Sequence, residues 1–188
     1  MTAHLRGKRA PPPLDETGLQ ELALRYVGKY ATTRAKLRTY LARKLRERGW
    51  SGAREPDLTG LADRFAELGY IDDAAYAVAQ SRSLTARGYG RRRLADKLRL
   101  AGVDEEDGEA AARHADGEAV SAALRFAERR RLGPFASAAA DRQQRRKWIA
   151  SMVRAGHPFG LASAIAALNP GAEFDPSELE ERAGIVRT

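Results

Sequence analysis

Apolar residues recur three and four positions apart along most of the chain, the spacing of helices that bury one face. Three such stretches are basic and each closes on a glycine: "RAKLRTYLARKLRERGW" at Gly49, "RRRLADKLRLAGV" at Gly102 and "RRKWIASMVRAGHP" at Gly156. Counted back from each glycine, the positions eight and four residues earlier are Leu41 and Leu45, Leu94 and Leu98, Trp148 and Met152. That is one helical face ended by a residue suited to the left-handed C′ position. The recurrence, at a period of roughly 50 residues, predicts stacked supersecondary units that bury their apolar faces partly against one another. Three three-helix repeats are expected, over 17–70, 71–116 and 117–169, in an elongated body. A flexible basic arm (1–16, ending in a triple proline) precedes them, and a tail (170–188) with a short helix follows.

Local signals place some helix ends. Asp57 is expected to start a helix with the stripe Leu58, Leu61, Phe65 and Leu68, stopped at Gly69. Asp72 suits an N-cap, with Asp73 at the positive end of the next helix. In "DPSELEERAG" Asp175 caps, Pro176 takes N1 and Glu178 takes N3.

Composition narrows the class to all-α. The sequence has 36 alanines and 20 leucines against six valines and four isoleucines, and the first pair favours helix where the second favours strand. Cysteine is absent, which removes disulfides, thiol nucleophiles and thiolate metal sites. The histidines, His4, His114 and His157, are far apart, and His157 beside Pro158 reads as a loop or cap residue. No apolar run approaches the ~20 residues of a membrane span and no secretory leader is evident, so a soluble cytoplasmic protein is expected.

Fragments that invite an enzymatic reading fail on spacing. "GYGRRR" has Arg93 where a dinucleotide fingerprint needs its third glycine, and "GWSGA" has Ala53 where a nucleophile elbow needs glycine. In "DEEDGEAA", Gly108 at loop position six would put Val103 at the first calcium position. No catalytic group, cofactor or metal site is expected.

Charge is where function shows. The net charge is +8, and 25 of the 33 Lys and Arg residues fall in three segments: 25–54, 85–100 and 125–154. Acids fall between them, at 55–73, 104–118 and 173–181. On a helical wheel Arg92 and Arg99 lie opposite Leu94 and Leu98, and Arg146 is the third repeat's equivalent of Arg92. Charge alone therefore nominates Arg34, Arg38, Arg43, Arg46, Arg92, Arg93, Lys97, Arg99, Arg142, Arg146 and Lys147 as partner-binding residues. Arginine grips phosphate and carboxylate bidentately, so nucleic acid and an acidic protein groove both fit.

The stretch "LADRFAELGYIDDAAYAVAQSRSLTARGYGRRRLADKLRLAGVDEE" resembles the RecX family, regulators of the RecA recombinase. The resemblance rests on Leu61, Phe65, Leu68, Gly69, Tyr70, Ile71, Asp72, Asp73, Ala77, Gly88, Tyr89, Gly90, Arg93, Leu94, Leu98, Gly102 and Val103. It covers roughly residues 20–168, with a longer first basic helix and a third repeat that matches mainly in pattern. It implies a curved molecule of tandem three-helix repeats lying in the groove of the RecA–DNA filament and inhibiting RecA's ATPase, strand exchange and co-protease activities. A monomer, with weak DNA binding of no sequence preference, is the matching expectation. The other reading is an autonomous helix-turn-helix DNA-binding protein. Against it, the basic helices offer few side chains for base edges, Gln143 and Gln144 being their adjacent pair.

Overall fold

A computed structural model describes residues 11–182 and builds them almost entirely from helix, without a strand among them; one isolated bridge joins Leu14 to Trp50. The helices are α1 (Glu16–Val27), α2 (Arg34–Arg48), α3 (Leu58–Glu67), α4 (Asp73–Ala86), α5 (Arg91–Ala101), α6 (Glu105–Gly117), α7 (Ala119–Arg130), α8 (Arg142–Arg154), α9 (Phe159–Ala167) and α10 (Pro176–Arg182). Side-chain caps explain where many begin. Asp15, Thr33, Asp57, Asp104 and Asp141 each accept a hydrogen bond from the backbone N–H three residues on, satisfying an amide that the helix itself leaves open. The glycines Gly49, Gly102 and Gly156 take φ of +82°, +68° and +98°, which side-chain-bearing residues rarely adopt.

The chain divides into two compact units, 1–73 and 74–188. In the first, Leu19 and Ala23 of α1, Leu37 and Leu41 of α2, and Ala62 and Phe65 of α3 form the core, closed by Leu14 and Ile71. This corrects the expected arm. Arg6, Lys8 and Arg9 lie outside the described residues, but Leu14 is buried, its N–H donating to Gly49 O at 3.0 Å and its carbonyl accepting from Ser51 N at 2.8 Å. A leucine side chain gains about 1.5–3 kcal/mol by leaving water, enough to hold the segment against the end of α2. Leu68 also departs from expectation. The α3 helix stops at Glu67, one residue before the stripe would place Leu68 inward, and Leu68 is exposed.

The second unit holds two apolar clusters. Tyr76, Ala77 and Leu84 of α4, Leu94 and Leu98 of α5, and Ala111 and Ala115 of α6 make one. The other gathers Val120 and Phe126 of α7, Trp148 and Met152 of α8, and Leu161 and Ile165 of α9. Tyr89 packs against both. The segment expected as a tail is part of this unit, because Leu179 of α10 is buried in the second cluster and Phe174 meets Phe135 edge-on. As the spacing predicts, Asp175 accepts from Ser177 N at 2.8 Å where α10 begins.

Candidate partner-binding surface

The basic helices separate their faces clearly. On α2, α5 and α8 the residues turned to the core are Leu37 and Leu41, Leu94 and Leu98, Trp148 and Met152. Arg43 and Arg46, then Arg92, Arg93 and Arg99, then Arg142, Arg146 and Lys147 are exposed, while Arg38 and Lys97 are half-buried. Several of these cations have local acids: Arg43 lies 3.7 Å from Glu47, and Arg99 lies 3.1 Å from Asp96. Exposed pairs of this kind contribute about 0–1 kcal/mol, so a partner's phosphate or carboxylate can replace the local acid at small cost.

Arg34 has a structural task. Its Nε lies 3.1 Å from Asp73 Oδ2, and its backbone N–H donates to Asp73 Oδ1 at 3.0 Å. The Asp73 carboxylate is almost wholly buried, and a buried charge is tolerated only when paired and hydrogen-bonded. Asp73 thus fixes the start of α2 within the first unit, beyond the helix-end role its sequence position suggests.

In the second unit the Gly88–Tyr89–Gly90 turn explains why α5 starts where it does. Gly90 N donates to Ala155 O at 3.0 Å and Arg92 N to Gly156 O at 3.3 Å. A Cβ on Gly90 would collide with the Gly156 carbonyl, and one on Gly88, at φ +77°, would lie 2.8 Å from Phe126 N. The glycines therefore permit two backbones to meet without intervening side chains. The contact brings the start of α5 against the end of α8, and Arg92, Arg93 and Asp96 share a cleft of about 190 Å³ with Val153, Arg154 and Gly156. Arg154 was not among the residues nominated from sequence; only the backbone contact reveals that it stands beside Arg92, while Arg146 lies about two turns earlier on α8.

Behind the same turn, Arg125 and Arg129 donate to Thr85 O at 3.2 Å and Arg87 O at 2.6 Å. Thr85 O also accepts from Gly88 N at 2.9 Å, so the two arginines add side-chain donors to carbonyls at and just past the end of α4. Arg87 and Arg129 also place their guanidinium carbons 5.9 and 5.8 Å from the Tyr89 ring. Arg–aromatic spacing along one helix is a signal too common to have identified them.

His157 lies in the link between α8 and α9, as its place beside Pro158 suggests, but it is buried at 4% exposure. Its Nε2 is 3.1 Å from Gly88 O, which assigns the proton to that nitrogen, and its ring meets Phe126 edge-on at 5.7 Å. Burial pushes its pKa down to about 4, the Gly88 hydrogen bond opposing only in part.

A serine–histidine pair exists but is unsuited to nucleophilic chemistry. The Ser81 hydroxyl donates to Ala111 O at 2.8 Å, lies 3.1 Å from His114 Nδ1 and is fully buried. A nucleophile must instead reach its substrate with its proton directed to a base. Among the described residues, His, Asp and Glu form no group of three able to hold a metal, and no helix is long and apolar enough to cross a membrane.

Residues 72–111 match the family model described as RecX, second three-helix domain. The regulatory protein RecX of Myxococcus xanthus is 33% identical over 174 residues, spanning 88% of this chain and 92% of that protein. The regulatory protein RecX of Thermobifida fusca is 33% identical over 159 residues, spanning 83% and 80%. In fold, the chain resembles the crystal structure of RecX from Lactobacillus salivarius, with a TM-score of 0.54 at 17% identity, covering 90% of this chain and 97% of the other.

Proposed function

The chain belongs to the RecX family of regulatory proteins, and from that premise we propose that it is a non-enzymatic, cytoplasmic regulator that binds the RecA–DNA filament and inhibits RecA ATPase, strand exchange and co-protease activity. One observation carries the proposal: α2, α5 and α8 each bury an apolar face and turn arginines outward. Such side chains add little to folding and suit the carboxylates and phosphates of a protein–DNA filament. The experiment is RecA ATPase on single-stranded DNA, titrated with this protein at amounts too small to coat the DNA. Loss of turnover at substoichiometric ratios is the expected result. Inhibition only at DNA-saturating amounts would favour the helix-turn-helix alternative, for which Gln143 and Gln144, exposed in the first turn of α8, are the available base-reading side chains.

The contact surface is centred on Arg92, Arg99 and Arg146. Changing all three to Glu should leave helicity and melting nearly unaltered, weaken filament binding strongly, and flatten its dependence on salt. Full inhibition by the folded triple variant, with an unaltered salt slope, would move the contact elsewhere, first to Arg38, Arg43 and Arg46 of α2.

A further inference from the structure

A surface of the first unit is built from rings as well as cations, and it shares Arg43 with the outer face of α2. Three tyrosines of the first unit form a ladder at the turn between α1 and α2. Tyr40 stacks on Tyr26 with centroids 4.2 Å apart and planes at 14°, and Tyr26 meets Tyr30 at 5.3 Å and 52°. Tyr26 and Tyr40 pack on the core, whereas Tyr30, the last ring, is 49% exposed. The turn is held by its own backbone, the Tyr30 N–H donating to Tyr26 O at 3.0 Å. Cations line the ladder: Lys29 Nζ is 5.3 Å from the Tyr30 centroid, and Arg43 Cζ and Lys44 Nζ are 5.6 and 6.0 Å from that of Tyr40. Glu47 pairs with both Arg43 and Lys44, so the group keeps a positive balance.

We infer that this ladder is a single-stranded nucleic-acid subsite, with Tyr30 as the stacking platform for an unpaired base and Lys29, Arg43 and Lys44 as contacts to its flanking phosphates. The chemistry selects the ligand. An exposed ring accepts the face of a base that is free of its own stack, and neighbouring cations follow the backbone charge. A duplex presents no free base face, so it should bind this site less well than a single strand. The inference deepens the nucleic-acid part of the function proposed above, yet concerns free single strands and is testable without RecA.

The test measures binding of the full chain to a labelled oligothymidylate and to a duplex of equal length at low salt, for wild type and for Tyr30→Ala, Tyr30→Leu and Tyr30→Phe. Loss of the ring should weaken single-strand binding roughly five- to hundredfold in the Ala and Leu variants, while Phe retains it. Lys29→Gln with Arg43→Gln should reduce the salt slope by about one to two. Unchanged oligothymidylate affinity in Tyr30→Ala, or equal retention by Leu and Phe, would overturn the assignment. Loss of RecA inhibition in Tyr30→Ala with intact oligothymidylate binding would also overturn it, and would give the surface to protein instead. Ring-dependent binding by a protein that fails to inhibit RecA would uphold the subsite while defeating the filament reading.

Discussion

His157 shows how one buried side chain sets a pH limit. In the unfolded chain its imidazole titrates near 6.5, and in the fold burial lowers this to about 4. Between those values the unfolded state binds the extra proton, so stability is complete above about pH 6.5 and falls as the pH drops through the window. The loss reaches about 3 kcal/mol once both states are protonated. Denaturation of wild type and His157→Phe at pH 7.5 and 4 should show that much less pH dependence in the variant; parallel curves would mean that the imidazole is hydrated in the fold. At Gly90 the constraint is closeness alone, because φ is an ordinary −88°. Gly90→Ala forces the Gly156 backbone away and should cost about 3 kcal/mol, the upper range for overpacking, measurable as a lowered urea midpoint.

At the scale of elements, the alternation of basic and acidic segments has two origins. Asp57, Asp104 and Asp175, one in each acidic segment, cap helices, so part of the acidic clustering belongs to helix initiation. The arginines on the outer faces of α5 and α8 have no such duty to the core. Stability measurements should separate these roles. Asp141→Ala should cost about 0.5–2 kcal/mol through its lost cap, and Trp148→Ala about 3–5 kcal/mol through lost burial and a cavity. Arg146→Glu, on the same helix, should change the unfolding free energy by less than about 0.5 kcal/mol. A large loss from Arg146→Glu would show that this arginine supports the fold.

For the whole molecule, the decisive feature is that each unit has its own core. Leu41 belongs to the first cluster, and the apolar residues of α7, α8 and α9 belong to a cluster in the second. Leu41→Ala should therefore cost the first unit about 2–5 kcal/mol while leaving hydrogen-exchange protection of α7–α9 amides nearly unchanged. Equal loss of protection throughout would show that the two units unfold as one.

Helical class, the repeated Leu94–Leu98 and Trp148–Met152 faces, and the capping roles of Asp57 and Asp175 were legible from the chain because they depend on contacts within one or two turns. So was the outward placement of Arg92, Arg99 and Arg146, since a helix with one apolar face must turn its opposite side to water. Leu14, Asp73, His157 and Arg154 could not be read that way. Leu14 is held by backbone hydrogen bonds to Gly49 and Ser51 and buried in the first core, the Asp73 carboxylate is matched to Arg34, 39 residues away, and His157 is hydrogen-bonded to Gly88, 69 residues away. Arg154 reaches the Arg92 cleft because Gly90 and Gly156 let two backbones touch. Periodicity encodes which way a side chain faces along its own helix; what it meets there depends on chain segments brought together by packing, and those distances are absent from any local pattern.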